Sequence, residues 1–372
     1  MDEKIKLLEL NYHCHTEFNS PGEVIEKHRL SSGFIYFIYD WVNLVLVKHL
    51  NFTGSGVYNG IRYLFFKSKN RFWYIPFKTH KSIQHERPDV VLVQGFVFPL
   101  QVLFLRMKLG PACIILVQHH GEKPYSGLKF FIQRLADRTI NAYLFTSLGN
   151  ANEWLDKKVI ASPDKCYEVL SASSNFKAKD KNSSKLSLKF YAEKNFLWVG
   201  RLHQKKDPVS VVKGFKTYLS IHPDAKLYMI FQTEELLAQI NELIQSATLK
   251  EAVVLVGKIE HEDLPTWYSA ADYFISGSHS EGSGYALVEA MTCGCIPVVT
   301  DIPSFRQITA DGQYGILYEA GNVTDLAKKL CSLHTLNNAE YALAIKKYSE
   351  DKFSYRAVAR QLYELCNHLL RK

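Results

Sequence analysis

Short apolar runs recur along the chain, each separated from the next by a stretch of helical spacing. This alternation restricts the fold more than any other feature. The runs IKLLELNY (5–12), RPDVVLVQG (87–95), CIILVQHHG (113–121), AYLFTS (142–147) and CYEVLSA (166–172) lack the apolar–polar alternation of a strand with one wet face. Strands that are apolar on both faces and separated by helices build parallel sheets covered on both sides. The helical stretches LQVLFLRMKLG (100–110) and GNANEWLDKKVI (149–160) occupy two of the gaps.

The pattern breaks at KAKDKNSSKLSLK (177–189), which is charged and nearly free of large apolar residues. It reads as a linker, over about 177–192. A second series then begins, with strands expected at 195–200, 225–231, 252–257, 272–277 and 295–300. Helices are expected between them at 207–220, 234–247, 261–270 and 284–293. The expected domains are 1–190 and 193–355, with 356–372 as a closing helix that returns to the first domain. A chain of 372 residues, 47% of them hydrophobic, is long enough to bury two cores. Two doubly wound domains joined by one linker would form a cleft between the carboxyl ends of their strands, where open α/β sheets bind ligands.

Composition excludes several classes. The two greasiest stretches, 32–47 and 90–105, are interrupted by Asp40 and by Gln94, Gly95 and Pro99, so they read as core and not as membrane spans. The opening residues lack the cationic and apolar order of a secretory signal. Seven cysteines, with no CxxC pair, suggest reduced thiols and a cytoplasmic setting. Cys293 and Cys295 flank one glycine but have no further ligands near them for a metal. Charge is uneven: residues 1–190 carry 26 Lys+Arg against 16 Asp+Glu, a net +10, and the remainder nets −2. An anionic partner is therefore expected for the first half, either an acidic substrate or an anionic membrane surface. No nucleic-acid recognition motif is present.

The chemistry concentrates in the second half. In FLWVGRLHQKKDP (196–208) a strand ends at Gly200, expected to allow a sharp turn, followed by Arg201 and then Lys206. A guanidinium and an ammonium at a strand end suit a diphosphate, although two solvated charges at a turn would look the same. In DYFISGSHSEGSGYALVEA (272–290) a strand ends in a Ser/Gly loop and a helix follows. The first N–H groups of that helix, from Ser283, Gly284 and Tyr285 after Gly282, would form a phosphate seat together with the helix dipole. Glu281 precedes the helix and Glu289 lies one and a half turns inside it. Carboxylates accept well from vicinal hydroxyls, so two of them beside a phosphate seat suit a sugar nucleotide. A capping acid and a surface acid are the plainer alternative.

These elements resemble glycosyltransferase family 4, the retaining GT-B enzymes of glycosyl transferases group 1. EGSGYALVE resembles the Glu-x7-Glu signature of that family, VGRLHQKKD its Gly-Arg-Leu…Lys element, and AMTCGCIPVV its Gly-x-Pro-Val continuation. YGILYEAGNVTDLAKKL (314–330) resembles its closing element, and the order over 195–330 is the family's order. The resemblance implies a GT-B fold of two Rossmann-like doubly wound domains facing each other across a cleft. It implies a metal-independent transfer of a hexosyl unit, with retention, from a nucleotide sugar to a glycan or lipid-linked acceptor, without a cofactor. Glu281 would hold the donor hexose, Glu289 the ribose diol, and Arg201 and Lys206 the leaving diphosphate. KIEHED (258–263) falls in the nucleobase slot, with the backbone of Ile259 as a base contact. His120, at the end of QHHG, matches the family's cleft histidine, with His119 its competitor because alternation along a strand places one of the two there.

Two departures stand out. Ser283 occupies a position usually held by Phe, and the loop NYHCHTEFNSPG (11–22) lacks the usual glycine pair. In the family that loop lies against donor phosphate and acceptor, so His13, Glu17 and His119 are the acceptor-side candidates.

Cations interleave with aromatics in YNGIRYLFFKSKNRFWYIPFK (58–78) and GLKFFIQRLADR (127–138). One reading is a weak peripheral footing on the inner face of the membrane. The other is core aromatics beside solvated cations. A sugar-nucleotide epimerase or phosphorylase on the same plan is the alternative activity, distinguished by whether the sugar label stays in nucleotide form. A nicotinamide oxidoreductase is disfavoured, because GSGVYNG (54–60) has the wrong spacing for a dinucleotide fingerprint. A lectin-like scaffold would have no need of Glu281, Glu289, Arg201 and Lys206 together.

Overall fold

The computed structural model describes residues 4–372 apart from 19, 32, 70, 171, 336 and 337. The chain divides into two compact units, Met1–Ser173 with Tyr355–Lys372, and Ser174–Ser354.

The first unit is an eight-stranded sheet: β1 (Lys6–His15), β2 (Asn43–Leu50), β3 (Gly54–Tyr58), β4 (Ile61–Lys67), β5 (Val90–Gln94), β6 (Ile114–Gln118), β7 (Ala142–Phe145) and β8 (Cys166–Glu168). Their order is β3-β4-β2-β1-β5-β6-β7-β8, and every pair is parallel except the β3–β4 hairpin. Asn59 and Gly60, both at positive φ, make the two-residue hairpin turn. The apolar runs are explained by cores on both faces. Leu7, Leu46, Leu92 and Leu116 point to one side, Leu8, Val47, Val91 and Val117 to the other. The last helix, Tyr355–Leu370, packs Val358, Leu362 and Leu369 on the first of these faces. Glu9 and Lys48 form a buried ion pair at 2.6 Å on neighbouring strands, β1 and β2.

The second unit has six parallel strands, β9 (Lys194–Gly200), β10 (Ala225–Phe231), β11 (Val253–Gly257), β12 (Tyr273–Ser276), β13 (Ile296–Thr300) and β14 (Ile316–Tyr318). Their order is β11-β10-β9-β12-β13-β14. The chain winds outward from β9 to β11 and then returns to start again at β12, so the switch in winding direction lies between β9 and β12. Pairing between these two strands covers only Tyr273↔Phe196 and Phe274↔Leu197, so no ladder joins their carboxyl-terminal ends.

The stretch read as a linker is structured, and the boundary between units falls before it. Helix Lys181–Leu188 is capped by Asp180, which accepts from Ser183 N at 2.8 Å. Lys181 and Lys185 both reach Asp272, at 2.8 and 2.9 Å. Burial opposes ionisation of Asp272, but the two lysines outweigh it and hold its carboxyl below the usual range. Among the described residues, no helix is long and apolar enough to cross a membrane.

Candidate functional site

In the second unit Lys206 and Glu281 meet at the carboxyl ends of β9 and β12, the switch point where open α/β sheets place their ligands, whereas Ile259 follows edge strand β11. The end of β12 packs directly on the turn after β9. A Cβ at Gly277 would lie 2.7 Å from Asp207 O and 3.3 Å from Lys206 O. His279 N donates to Lys205 O at 2.9 Å, and the His279 ring meets Asp207 at 3.1 Å. Asp207 caps helix Pro208–Leu219 by accepting from Ser210 N. This clamp delivers Lys206 onto Glu281, and the two form an ion pair. Ser278 Oγ also donates to Glu281, at 2.8 Å. Thr300 and Tyr318 hold the strand end by donating to Ser278 O and Ser276 O. Ser304 donates to Glu281 O.

Because Gly277 is needed for this close approach, Gly277→Ala is expected to push the 206–207 backbone away. The cost would be about 1–3 kcal/mol of stability. A lowered thermal midpoint checks it, and an unchanged midpoint would show that the turn has slack.

Helix Tyr285–Thr292 begins after Gly284, which sits at φ 75 against Ile308. A residue with a Cβ would be strained there and would also clash. Glu289 is buried in this helix. Its two oxygens accept from His261 Nε2 and Tyr268 Oη, each at 3.1 Å. The bond to Glu289 raises the His261 pKa, against the opposing effect of burial. Phe176 packs on both partners, at 4.9 Å from the His261 ring and 6.2 Å from Tyr268. One donor per oxygen leaves the carboxylate lone pairs for further hydroxyls. Neither partner was singled out from sequence, although His261 lies inside the KIEHED stretch.

Arg201 is exposed just past β9, and no carboxylate pairs with it among the described residues. Ile259 is half-buried in the loop after β11, beside the Lys258–Glu260 pair. Gly282 and Ser283 lie half-buried in the turn before Gly284, and Tyr285 opens the helix. Gly200 differs from expectation. It continues β9, paired with Phe231, and makes no left-handed turn. A Cβ there would approach the Trp198 ring at 3.1 Å, so close packing is the reason for glycine.

In the first unit the two histidines after β6 separate. His119 is buried, its ring against Phe145 at 4.8 Å and Trp154 at 5.8 Å, with Nε2 donating to Glu122 O at 2.9 Å. That environment places the His119 ring in the core of the first unit. His120 is exposed and meets Gln94 Oε1 through Nε2 at 2.7 Å, while its backbone N–H donates to Glu122 at 2.7 Å. Although part of the residue reaches solvent, desolvation of the ring lowers its pKa, which leaves a neutral imidazole near pH 7. His13 lies edge-on to Phe98 at 5.5 Å, and Glu17 pairs with His15 at 3.2 Å.

The fold is that of the GT-B glycosyltransferases. Anabaena Alr3699/HepE, solved in complex with UDP and glucose, aligns with a TM-score of 0.68 at 13% identity, over 98% of this chain and 100% of its own. Residues 180–352 match the family Glycosyl transferases group 1. It is 29% identical to mannosylfructose-phosphate synthase of Agrobacterium fabrum, over 35% of this chain and 30% of that protein. It is 25% identical to the capsular polysaccharide biosynthesis glycosyltransferase CapM of Staphylococcus aureus, over 66% of this chain and 67% of that protein. Several other relatives are matched over only 22–39% of their own length.

Proposed function

We propose that this chain is a retaining glycosyltransferase. It moves a hexosyl unit from a nucleoside-diphosphate sugar to a glycan or lipid-linked acceptor without a metal. The observation that carries the reading is the Lys206–Glu281 pair at the switch point of the second sheet, with Glu289 held a short way along the adjoining helix. An ammonium beside the phosphate seat counters the charge that develops on the leaving diphosphate, usually a large electrostatic contribution. Glu281, already oriented by Ser278, offers its remaining lone pairs to the hexose hydroxyls. Glu289 takes the ribose diol, and Arg201 adds a second cation. Neutral His120 is a hydrogen-bonding group for the transferred sugar or its acceptor.

The UDP and glucose bound to the Anabaena neighbour, and the capsular polysaccharide role named for the Staphylococcus relative, support this donor and acceptor class. Retention and metal independence rest on the family resemblance. Among the described residues the cysteines form no disulfide, in keeping with a cytoplasmic site of action.

The test is incubation with sugar-labelled UDP-, GDP-, ADP- and CMP-sugars, a membrane and glycan extract, and excess chelator. Label is expected to leave the nucleotide fraction and enter a lipid or glycan, with the product's anomeric configuration by NMR matching the donor's. Label that stays in nucleotide form would point to an epimerase, and an inverted product would overturn retention.

A further inference from the structure

One helix of the first unit is turned inside out. In Gly127–Asp137 the buried side chains include Gln133 and Asp137, while Leu128, Phe131 and Leu135 are 66%, 62% and 49% exposed. These three apolar residues share one stripe by their spacing. The polar residues fix that orientation. Gln133 accepts from Tyr125 N at 2.8 Å and donates to Phe96 O at 3.0 Å. Asp137 accepts from Tyr143 Oη at 3.0 Å and Ala161 N at 3.3 Å, and pairs with Lys165. Rotating the helix to hide its apolar stripe would break all of these bonds, so the stripe is held outward.

The exposed apolar surface continues on the neighbouring segments. Helix Pro99–Leu109 packs beside this helix on the same side of the sheet, with Met107 76% exposed. On its other flank Phe77 packs on Phe104 and is 57% exposed, and Trp73, in the loop before it, is 58% exposed. The Trp73 loop is fastened from within: buried Gln101 donates to Phe72 O at 2.8 Å and Tyr74 O at 2.9 Å. Lys129, on the inverted helix, lies over the Phe72 ring at 4.7 Å and ties the loop to that helix. The segments 71–81, 99–109 and 123–135 contain Lys and Arg but no Asp or Glu. By contrast, the aromatics of the β3–β4 hairpin are core: Tyr63 and Phe65 are buried, and Arg62 pairs with Glu86. The two readings of 58–78 thus divide near residue 70.

We infer that this layer of the first unit is a docking surface for an anionic lipid bilayer, with the Leu128–Phe131–Leu135 stripe and Trp73 entering the headgroup region. A fixed apolar stripe among cations, with no acid in the three segments, matches an interfacial helix on anionic lipid. Protein interfaces are depleted of charge at their cores, which a layer carrying cations and no acid does not match. The inference stands apart from the transfer reading, because its test needs no sugar.

The test is sedimentation with vesicles of neutral phosphatidylcholine or of an equal mixture with phosphatidylglycerol, at low and high salt. The chain is expected to pellet with the mixed vesicles only, and to be released by high salt. Leu128→Ser/Phe131→Ser/Leu135→Ser is expected to lower partition by about ten-fold or more with an unchanged circular dichroism spectrum. Lys78→Glu/Arg134→Glu should do the same, as a variant that leaves the apolar stripe intact. No pelleting with anionic vesicles, or pelleting unaffected by both variants, would overturn the inference. So would a dimer in analytical ultracentrifugation that the serine variant dissociates, since the stripe would then be covered by a second copy.

Discussion

Lys206→Ala is expected to lower kcat by about 30- to 1,000-fold, or about 2–4 kcal/mol of transition-state stabilisation. Two losses combine in this estimate. The ammonium no longer counters the charge growing on the leaving diphosphate. Glu281, at 14% side-chain exposure, also loses its ammonium partner where more negative charge arrives. Lys206→Arg keeps the charge and should recover part of the rate. Steady-state kinetics of the three proteins, with KM and kcat resolved, checks this. If Lys206→Ala retains the turnover of the parent, the diphosphate seat lies elsewhere.

Acid should destabilise the fold well before its carboxylates protonate. His49 and His80 are buried in the first unit, and desolvation lowers both pKa values to about 4. His49 is satisfied as the neutral ring, with Nδ1 donating to Tyr12 O at 3.3 Å and Nε2 accepting from Thr79 at 3.0 Å. His80 Nε2 lies 2.8 Å from Tyr12 Oη, and its Nδ1 meets no partner. Unfolded histidine titrates near 6.5. Above that pH both states are neutral and the fold keeps its full stability. As pH falls from about 6.5 to about 4 the unfolded chain takes up protons that the folded chain refuses. Stability then drops by roughly 3 kcal/mol for each ring. His261, raised by Glu289, works in the opposite direction and offsets part of the loss. Urea unfolding at pH 7.5, 6 and 5 should show a falling midpoint. A flat profile from pH 7.5 to 5 would mean that these rings are protonated in the fold.

What could be read from sequence was whatever depends on near neighbours. The run AKLYMIF is β10 residue for residue, because a strand buried on both faces past Lys226 reads as a continuous apolar run. The single helix expected over 234–247 is instead two, Leu237–Leu243 and Ala247–Ala252, with extended Ser246 opening the second. The polar stretch 177–189 read as a linker because its helix is held by Asp272, some 90 positions away. The same limit hid the Lys206–Glu281 pair, the His261 and Tyr268 bonds to Glu289, and the Glu9–Lys48 pair. All of them join residues distant in sequence. The identity and order of Glu281 and Glu289 were legible, since a glycine turn at a helix start is a local signal. Which of His119 and His120 lies in the core was not, because that depends on Phe145 and Trp154.

The central claim is that the loop between β12 and the helix Tyr285–Thr292 seats a nucleoside diphosphate, with Glu289 on the ribose and Glu281 on the sugar. Calorimetric titration of the free nucleoside diphosphates into the parent chain, Glu289→Gln and Glu281→Gln tests it most directly. Saturable binding of at least one nucleotide is predicted for the parent. It should be weakened at least ten-fold in Glu289→Gln and nearly intact in Glu281→Gln, with transfer abolished only through the latter's effect on the sugar. The same affinity in Glu289→Gln as in the parent, or a loss confined to Glu281→Gln, would contradict the account.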